Sequence, residues 1–306
     1  MNGIVRQAWL AVRPATGQQR FLWWCGALLL ASGAVHAVVA AVDGGSWWGP
    51  VSWRKPVVFG LSMGILAWSA AWVMRQLPVR RWGWIPAGLL GGGSVVEVAL
   101  ITMQRWRGRA SHFNYETTFD TVVWASMSRV IILVALAVTI LLVWSLVRFS
   151  GGPAARIAVV VGLLAFEASG YIGYGMAAIG EATAQSAGHP PSTIVFGAAG
   201  SAKLAHALGM HGLQVLGVLA IGLGLRATAV RTQVWLMVLG ATGYASVFGA
   251  VTATAYAGRA WTSPAVPLGL LAVAGCLAVL VAYTITVVRL LPEVWVTVRR
   301  RAEVTP

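Results

Sequence analysis

Apolar residues gather in eight long blocks, at about 21–42, 57–77, 83–104, 122–147, 155–179, 204–225, 232–256 and 264–289. Each approaches or exceeds the ~20 residues that a helix needs to cross a bilayer. The pattern predicts an all-α fold, a polytopic transmembrane helix bundle of about eight spans forming one domain over 1–306. The longest stretches between blocks are 43–55, 104–121 and 181–201. Arg6, Arg13 and Arg20 precede the first block, as in a signal peptide, but its apolar stretch exceeds the 7–15 residues of a signal core. It is read as a retained span.

Composition agrees. The chain is 58% hydrophobic and 10% charged, too little charge to coat a soluble domain. Its 36 glycines suit close helix packing in lipid, and tryptophans such as Trp23, Trp47, Trp82, Trp106 and Trp261 fall near block boundaries, as an interfacial belt predicts. A net charge of +14 does not signal nucleic acid, because the arginines form short clusters between apolar blocks. Cys25 and Cys276 lie within blocks and read as buried thiols.

With the N-terminus in the cytoplasm, fourteen of the 22 basic residues fall on that side, including Arg226 and the Arg299–Arg301 tail. Eight spans then put both termini on the cytoplasmic side of a cell membrane. Six basic residues lie outside, five of them in the clusters Arg54-Lys55 and Arg105-x-Arg107-x-Arg109. Those are either tolerated or bind something anionic.

Ionisable residues inside apolar blocks are costly and tend to face a bundle interior. At 1.5 Å per residue, His36, Ser62, Glu97, Arg129 and His211 come out roughly 8–11 Å below the outer boundary, with Glu167 slightly deeper. They predict a polar chamber in the outer half of the bundle. Glu97 and Gln104 share a helix face, as do Glu167, Tyr171 and Tyr174. Lys203, His206, Met210, His211 and Gln214 fit an arc of roughly 140°. Blander readings stand beside these: Arg129 and Glu97 as a packing ion pair, Glu167 bonded to a tyrosine or a carbonyl, and His36 as a satisfied core residue.

The stretches Gly49-Pro50-Val51-Ser52-Trp53-Arg54-Lys55-Pro56, Gln104-Arg105-Trp106-Arg107-Gly108, Ser111-His112-Phe113-Asn114 and Lys203-x-x-His206-x-x-x-x-His211-x-x-Gln214 resemble together a family of uncharacterised, actinobacterial-type integral membrane proteins. The resemblance covers roughly 30–220 and implies no activity. Lys55, Arg105, Arg107, Ser111, His112 and Asn114 would sit above the chamber, as a lid or anion clamp or as a loop paired within itself.

Three chemistries fit such a chamber. One is a haem or metal site for redox chemistry, with His36, His206 or His211 as ligands. His206 and His211 are five apart and diverge by about 140° on a regular helix. Another is a transporter or receptor for a small anionic or amphipathic solute. The third is a metal-dependent hydrolase or transferase using Glu97, His206 and His211, although no hydrolase motif supports it. Val58-Phe59-Gly60 and Val195-Phe196-Gly197 hint at an internal repeat.

Overall fold

The computed structural model describes the backbone of residues 3–225 and 228–302 and the side chains of those residues up to 290. Arg226 and the side chains of Arg299, Arg300 and Arg301 lie outside the described residues. A short helix, α1 (Gly3–Val12), has no buried residue. Eight helices follow that are long and apolar enough to cross a membrane. They are α2 (Gly17–Asp43), α3 (Arg54–Arg75), α4 (Trp84–Trp106), α5 (Thr118–Val147), α6 (Pro153–Ala187), α7 (Ala202–Gly224), α8 (Val230–Tyr256) and α9 (Val266–Ala302). The chain is a multi-pass membrane protein built as a helix bundle, and among the described residues there is no strand beyond an isolated bridge between Phe196 and Gly200.

Local chemistry marks the helix ends. Thr16 and Gln19 form a reciprocal capping box at the start of α2, and Pro153 opens α6, where its missing N–H costs nothing. Gly44 and Gly188, both left-handed at φ 63° and 73°, close α2 and α6. Gly108 and Gly258, at φ 68° and 71°, follow α4 and α8 in the same way. Their neighbours match too. Arg109 N–H reaches the Gln104 carbonyl and Arg259 N–H the Thr254 carbonyl, each five residues back.

These matches belong to a repeat. Helix α2 lies along α3 as α6 lies along α7, and α4 lies along α5 as α8 lies along α9. The cross-contacts α2–α4 and α3–α4 recur as α6–α8 and α7–α8. Small residues hold equivalent places. A Cβ on Gly60 would come within 2.9 Å of Gly33, and one on Gly64 within 3.0 Å of the Gly26 carbonyl. In the second half Gly209 faces Ser169 at 2.6 Å, and Gly162 faces Leu213. Gly93 meets Val134 of α5 as Gly243 meets Ala278 of α9. The two four-helix halves therefore run parallel, an arrangement of repeats that many transporters use. The Val-Phe-Gly pair does not carry this repeat: Val58–Gly60 lies within α3, whereas Val195–Gly197 lies in the loop before α7.

The eight spans fall where the apolar blocks predict, with two substantial differences. Helix α9 runs on past residue 289 to Ala302. Helix α6 continues about two turns beyond residue 179, to Ala187. Its added turns carry Gly180 and Glu181, which support the loop between α4 and α5: a Cβ on Gly180 would strike the Phe113 ring, and Tyr115 donates to Glu181 at 2.6 Å.

Replacing Gly60 by alanine should cost about 1–3 kcal/mol through overpacking against Gly33. Gly88→Ala, with open space around it, should be neutral or slightly stabilising. Thermal unfolding midpoints in detergent would separate the two, and equal midpoints would refute the packing assignment.

Candidate functional site

The end bearing the loop 107–117, outer by the charge count, holds most of the polar residues singled out by sequence. Its arginine run is paired within the protein. Arg105 reaches Asp43 at 3.2 Å and stacks 4.0 Å over the Trp53 ring. Arg107 reaches the buried Asp120 at 2.7 Å, and Arg109 reaches Glu116 at 2.5 Å. Asp120 also accepts from Gln104 at 2.9 Å and from the Thr117 hydroxyl at 2.7 Å, so the carboxylate fastens the loop to the start of α5. Gln104 is fully buried and accepts from Arg107 as well. Asn114 donates to the Ala110 carbonyl and accepts from Glu116 N–H, closing the turn. These three arginines act as ties.

His36 belongs to a second knot. Its Nδ1 lies 2.7 Å from the Ser32 carbonyl, which can only accept, and its Nε2 lies 3.1 Å from the Trp106 indole N–H, which can only donate. The ring is thus neutral with the proton on Nδ1, and both nitrogens are used. Trp53 stacks beside it and donates to Asp43 at 2.6 Å.

Between these knots lies a group of cations without carboxylates. Arg54, Lys55 and Lys203 stand within electrostatic reach of one another, and none forms an ion pair among the described residues. Arg54 and Lys203 open α3 and α7, and the Gly60–Gly33 and Gly209–Ser169 contacts make them equivalent positions of the repeat. The N-cap residues Trp53 and Ser201 make no side-chain capping bond, so two positive helix ends point to the same mouth. The buried Ser52 Oγ and Arg54 Nε have no hydrogen-bond partner. Sequence reasoning grouped Arg54 with Lys55 as a basic cluster but did not count it among the site residues. The loop seals one side, with Lys55 3.5 Å from Ser111 Oγ and Ser111 2.9 Å from His112 Nδ1. Because the ammonium only donates, the serine proton goes to His112, which is neutral. Desolvation among Phe59, Phe113 and Trp124, together with the Lys55 charge, holds its pKa well below the ordinary imidazole range.

The remaining candidates are dispersed. Glu97 is 3% exposed, its Oε2 lacks a partner, and it forms no ion pair with Arg129. Arg129 is exposed on α5. Glu167 accepts from Thr139 at 2.8 Å across the α5–α6 contact, while Tyr171 and Tyr174, at 80% and 77% exposed, face outward. His206 Nδ1 donates to the Ser169 carbonyl at 2.8 Å, and the Ser169 hydroxyl donates to the His206 carbonyl, locking α7 to α6. His211 is half-buried on the same helix. Gln214 bridges to α3: with its carbonyl toward Ser69 Oγ at 3.3 Å, its amide donates to the Met210 and His211 carbonyls.

A haem held between His36 and His206 or His211 does not fit this arrangement. Helix α3 stands between α2 and α7, and His36 has no free nitrogen. Glu97, His206 and His211 do not converge either: among the described residues no three such side chains are placed to hold a metal ion.

The neutral state of His112 has a pH consequence. Its folded pKa is depressed, so its contribution to the closed loop is complete above about pH 6.5, the unfolded value, and is lost as pH falls below that toward the folded value. Hydrogen exchange across residues 107–117 should be flat above pH 6.5, after correction for the intrinsic rate, and lose protection below it. His112→Phe should flatten the profile, and an unchanged profile would remove His112 from the loop's closure. No protein-family model matches the chain, and no curated protein or solved structure is detectably similar to it.

Proposed function

We propose that the protein binds a small anionic or amphipathic solute at its outer face, as a transporter or receptor. One observation carries this reading: Arg54, Lys55 and Lys203 gather at two uncapped helix N-termini with no carboxylate among them. Eight acidic residues serve the whole chain, and four of them pair with or accept from the neighbouring loop: Asp43, Glu116, Asp120 and Glu181. Like charges held together near a low-dielectric bundle repel and stay strongly attractive to an anion. The α7 N-terminus adds aligned N–H donors, which favour phosphate or carboxylate groups, whereas at α3 Pro56 has no N–H and that of Lys55 goes to the Ser52 carbonyl. Arg54 supplies a planar fork and the lysines supply point charges.

The parallel repeat favours transport over simple reception. The mouth lies where the two halves meet, at the ends of α3 and α7, and binding at a repeat interface is a recurrent transporter design. An amphipathic ligand would find tryptophans at the same level, including the exposed Trp48 beneath the Arg54 guanidinium. On this reading the N-terminus faces the cytoplasm and the mouth opens to the opposite side of the cell membrane.

Titration calorimetry of the detergent-purified protein with inorganic phosphate, acetate and a short-chain alkyl phosphate tests the proposal. At least one should bind, weakening with salt as exposed charges are screened. Lys55→Gln should lower the affinity at least tenfold, and Arg109→Gln, which removes a charge spent on Glu116, should change it little. Absence of binding by all three, or equal effects of the two substitutions, would overturn the reading.

A further inference from the structure

The two helices that open at the cationic mouth meet again farther down. Helices α3 and α7 run in the same direction. Lys55 and Lys203 stand at the outer end. In the inner third of α3, Ser69 lies against Gln214 near the middle of α7. One turn further the Trp72 ring lies against Gly217, where an added Cβ would come within 3.3 Å of it. The α7 side of this line is Lys203, Met210, Gln214, Gly217 and Ile221, spaced by seven, four, three and four residues, which is one helix face.

Below Trp72 the seam opens into a cavity of about 380 Å³. Trp72 forms its roof, Gln7 of α1 closes part of the opposite side, and Arg75, Gln76, Ile221 and Gln233 line the rest. Arg75 donates to the Arg13 and Leu10 carbonyls at 2.8 and 3.0 Å, which pins α1 across this end while the guanidinium keeps its charge. The other polar groups facing the cavity are the amides of Gln7, Gln76 and Gln233, set among small and apolar residues.

Resting on the anion-binding reading above, we infer that the α3–α7 seam is the solute's passage through the membrane, with Trp72 against Gly217 as its closure and the cavity beneath α1 as its inward station. Glycine at 217 has a specific use here: it lets a large ring lie flat across the seam without a side chain beneath it. The conformation described is closed above Trp72 and open below. The passage runs from three cations outside, past the Ser69–Gln214 contact, to one arginine and three glutamines inside. An anion is drawn in by a cluster of cations and meets a single guanidinium at the other end, from which it can leave.

Thiol accessibility tests the passage without knowledge of the solute. In the full-length protein with Cys25→Ala and Cys276→Ala, a membrane-impermeant maleimide is applied to vesicles of each orientation. Ile221→Cys should react only from the side carrying α1, and Met210→Cys should be protected from that side. Adding Trp72→Ala should raise the Met210→Cys reaction from the α1 side at least tenfold. Trp72→Phe, which keeps more of the packing, should give an intermediate rate if the alanine variant folds poorly. These rates need no bound anion, so a failure of the anion site, read by calorimetry, and a failure of the passage, read by thiol reactivity, give different results. Protection of Ile221→Cys from the α1 side, or a Met210→Cys rate insensitive to both Trp72 substitutions, would overturn the inference.

Discussion

The close approach of helix pairs at small residues is the constraint on which the other features depend. Lipid offers no hydrophobic drive for one apolar helix to leave it for another, so association rests on contact quality and on hydrogen bonds. Gly33 against Gly60, and Ser169 against Gly209, bring α2 to α3 and α6 to α7 at nearly backbone distance. The pairs then set the starting points of α3 and α7. Had either pair been spaced by larger side chains, the two helix N-termini and their cations would not share one mouth. The same packing that holds the bundle thus concentrates positive charge against its own repulsion, and the surrounding ties must bear that cost.

Those ties explain the outer arginines. A charge near the membrane is tolerable when it is paired or well solvated, and the run Arg105-x-Arg107-x-Arg109 gives each guanidinium its own carboxylate on a different segment. Asp43 ends α2, Asp120 begins α5 and Glu116 lies in the loop itself, so the first two pairs tie the end of α4 and the loop to α2 and α5, and the third holds the loop together. Exposed pairs such as Arg109–Glu116 contribute about 0–1 kcal/mol at most. Asp120 is different, because it is fully buried and accepts several bonds, so loss of Arg107 would leave it poorly compensated. The acids used in this cover are therefore not available to Arg54, Lys55 or Lys203.

The spans were legible because the bilayer imposes a length, and eight apolar blocks meet it. The two added turns of α6 were not legible, since residues 180–187 include Gly180, Glu181, Thr183 and Gln185 and read as a loop; only contact with Phe113 and Tyr115 shows their use. The repeat was hidden because its matched positions are single small residues whose offset differs from helix to helix, so no common alignment reveals it. The Val-Phe-Gly pair lay in the wrong register. At the site, Lys55, Lys203, Ser111 and His112 were visible as polar residues in one outer region. Helical phase placed Glu167, Tyr171 and Tyr174 on one face, but it carries no information on which way that face turns, and the tyrosines point outward. His36 was visible by depth alone; its two bonds require Trp106, seventy residues away, to be in place.

The two halves are alike in packing and unlike in chemistry, which bears on how such a molecule would move. An unmodified twofold would place equal side chains on both sides of the seam and give no preferred state. Here Trp72 of α3 faces Gly217 of α7, and the extension at the end of α6 props the loop from one side. The asymmetry fills the seam in one place and leaves a cavity in another, so the two sides of the seam are not interchangeable. On the transport reading, the complementary arrangement would come from the same helix pairs rocking about the α3–α7 contact as rigid units. Gly33–Gly60 and Ser169–Gly209 would hold each unit together, while the α3–α7 seam, polar at Ser69 and Gln214 and lined by Gly217, would be the contact that gives way.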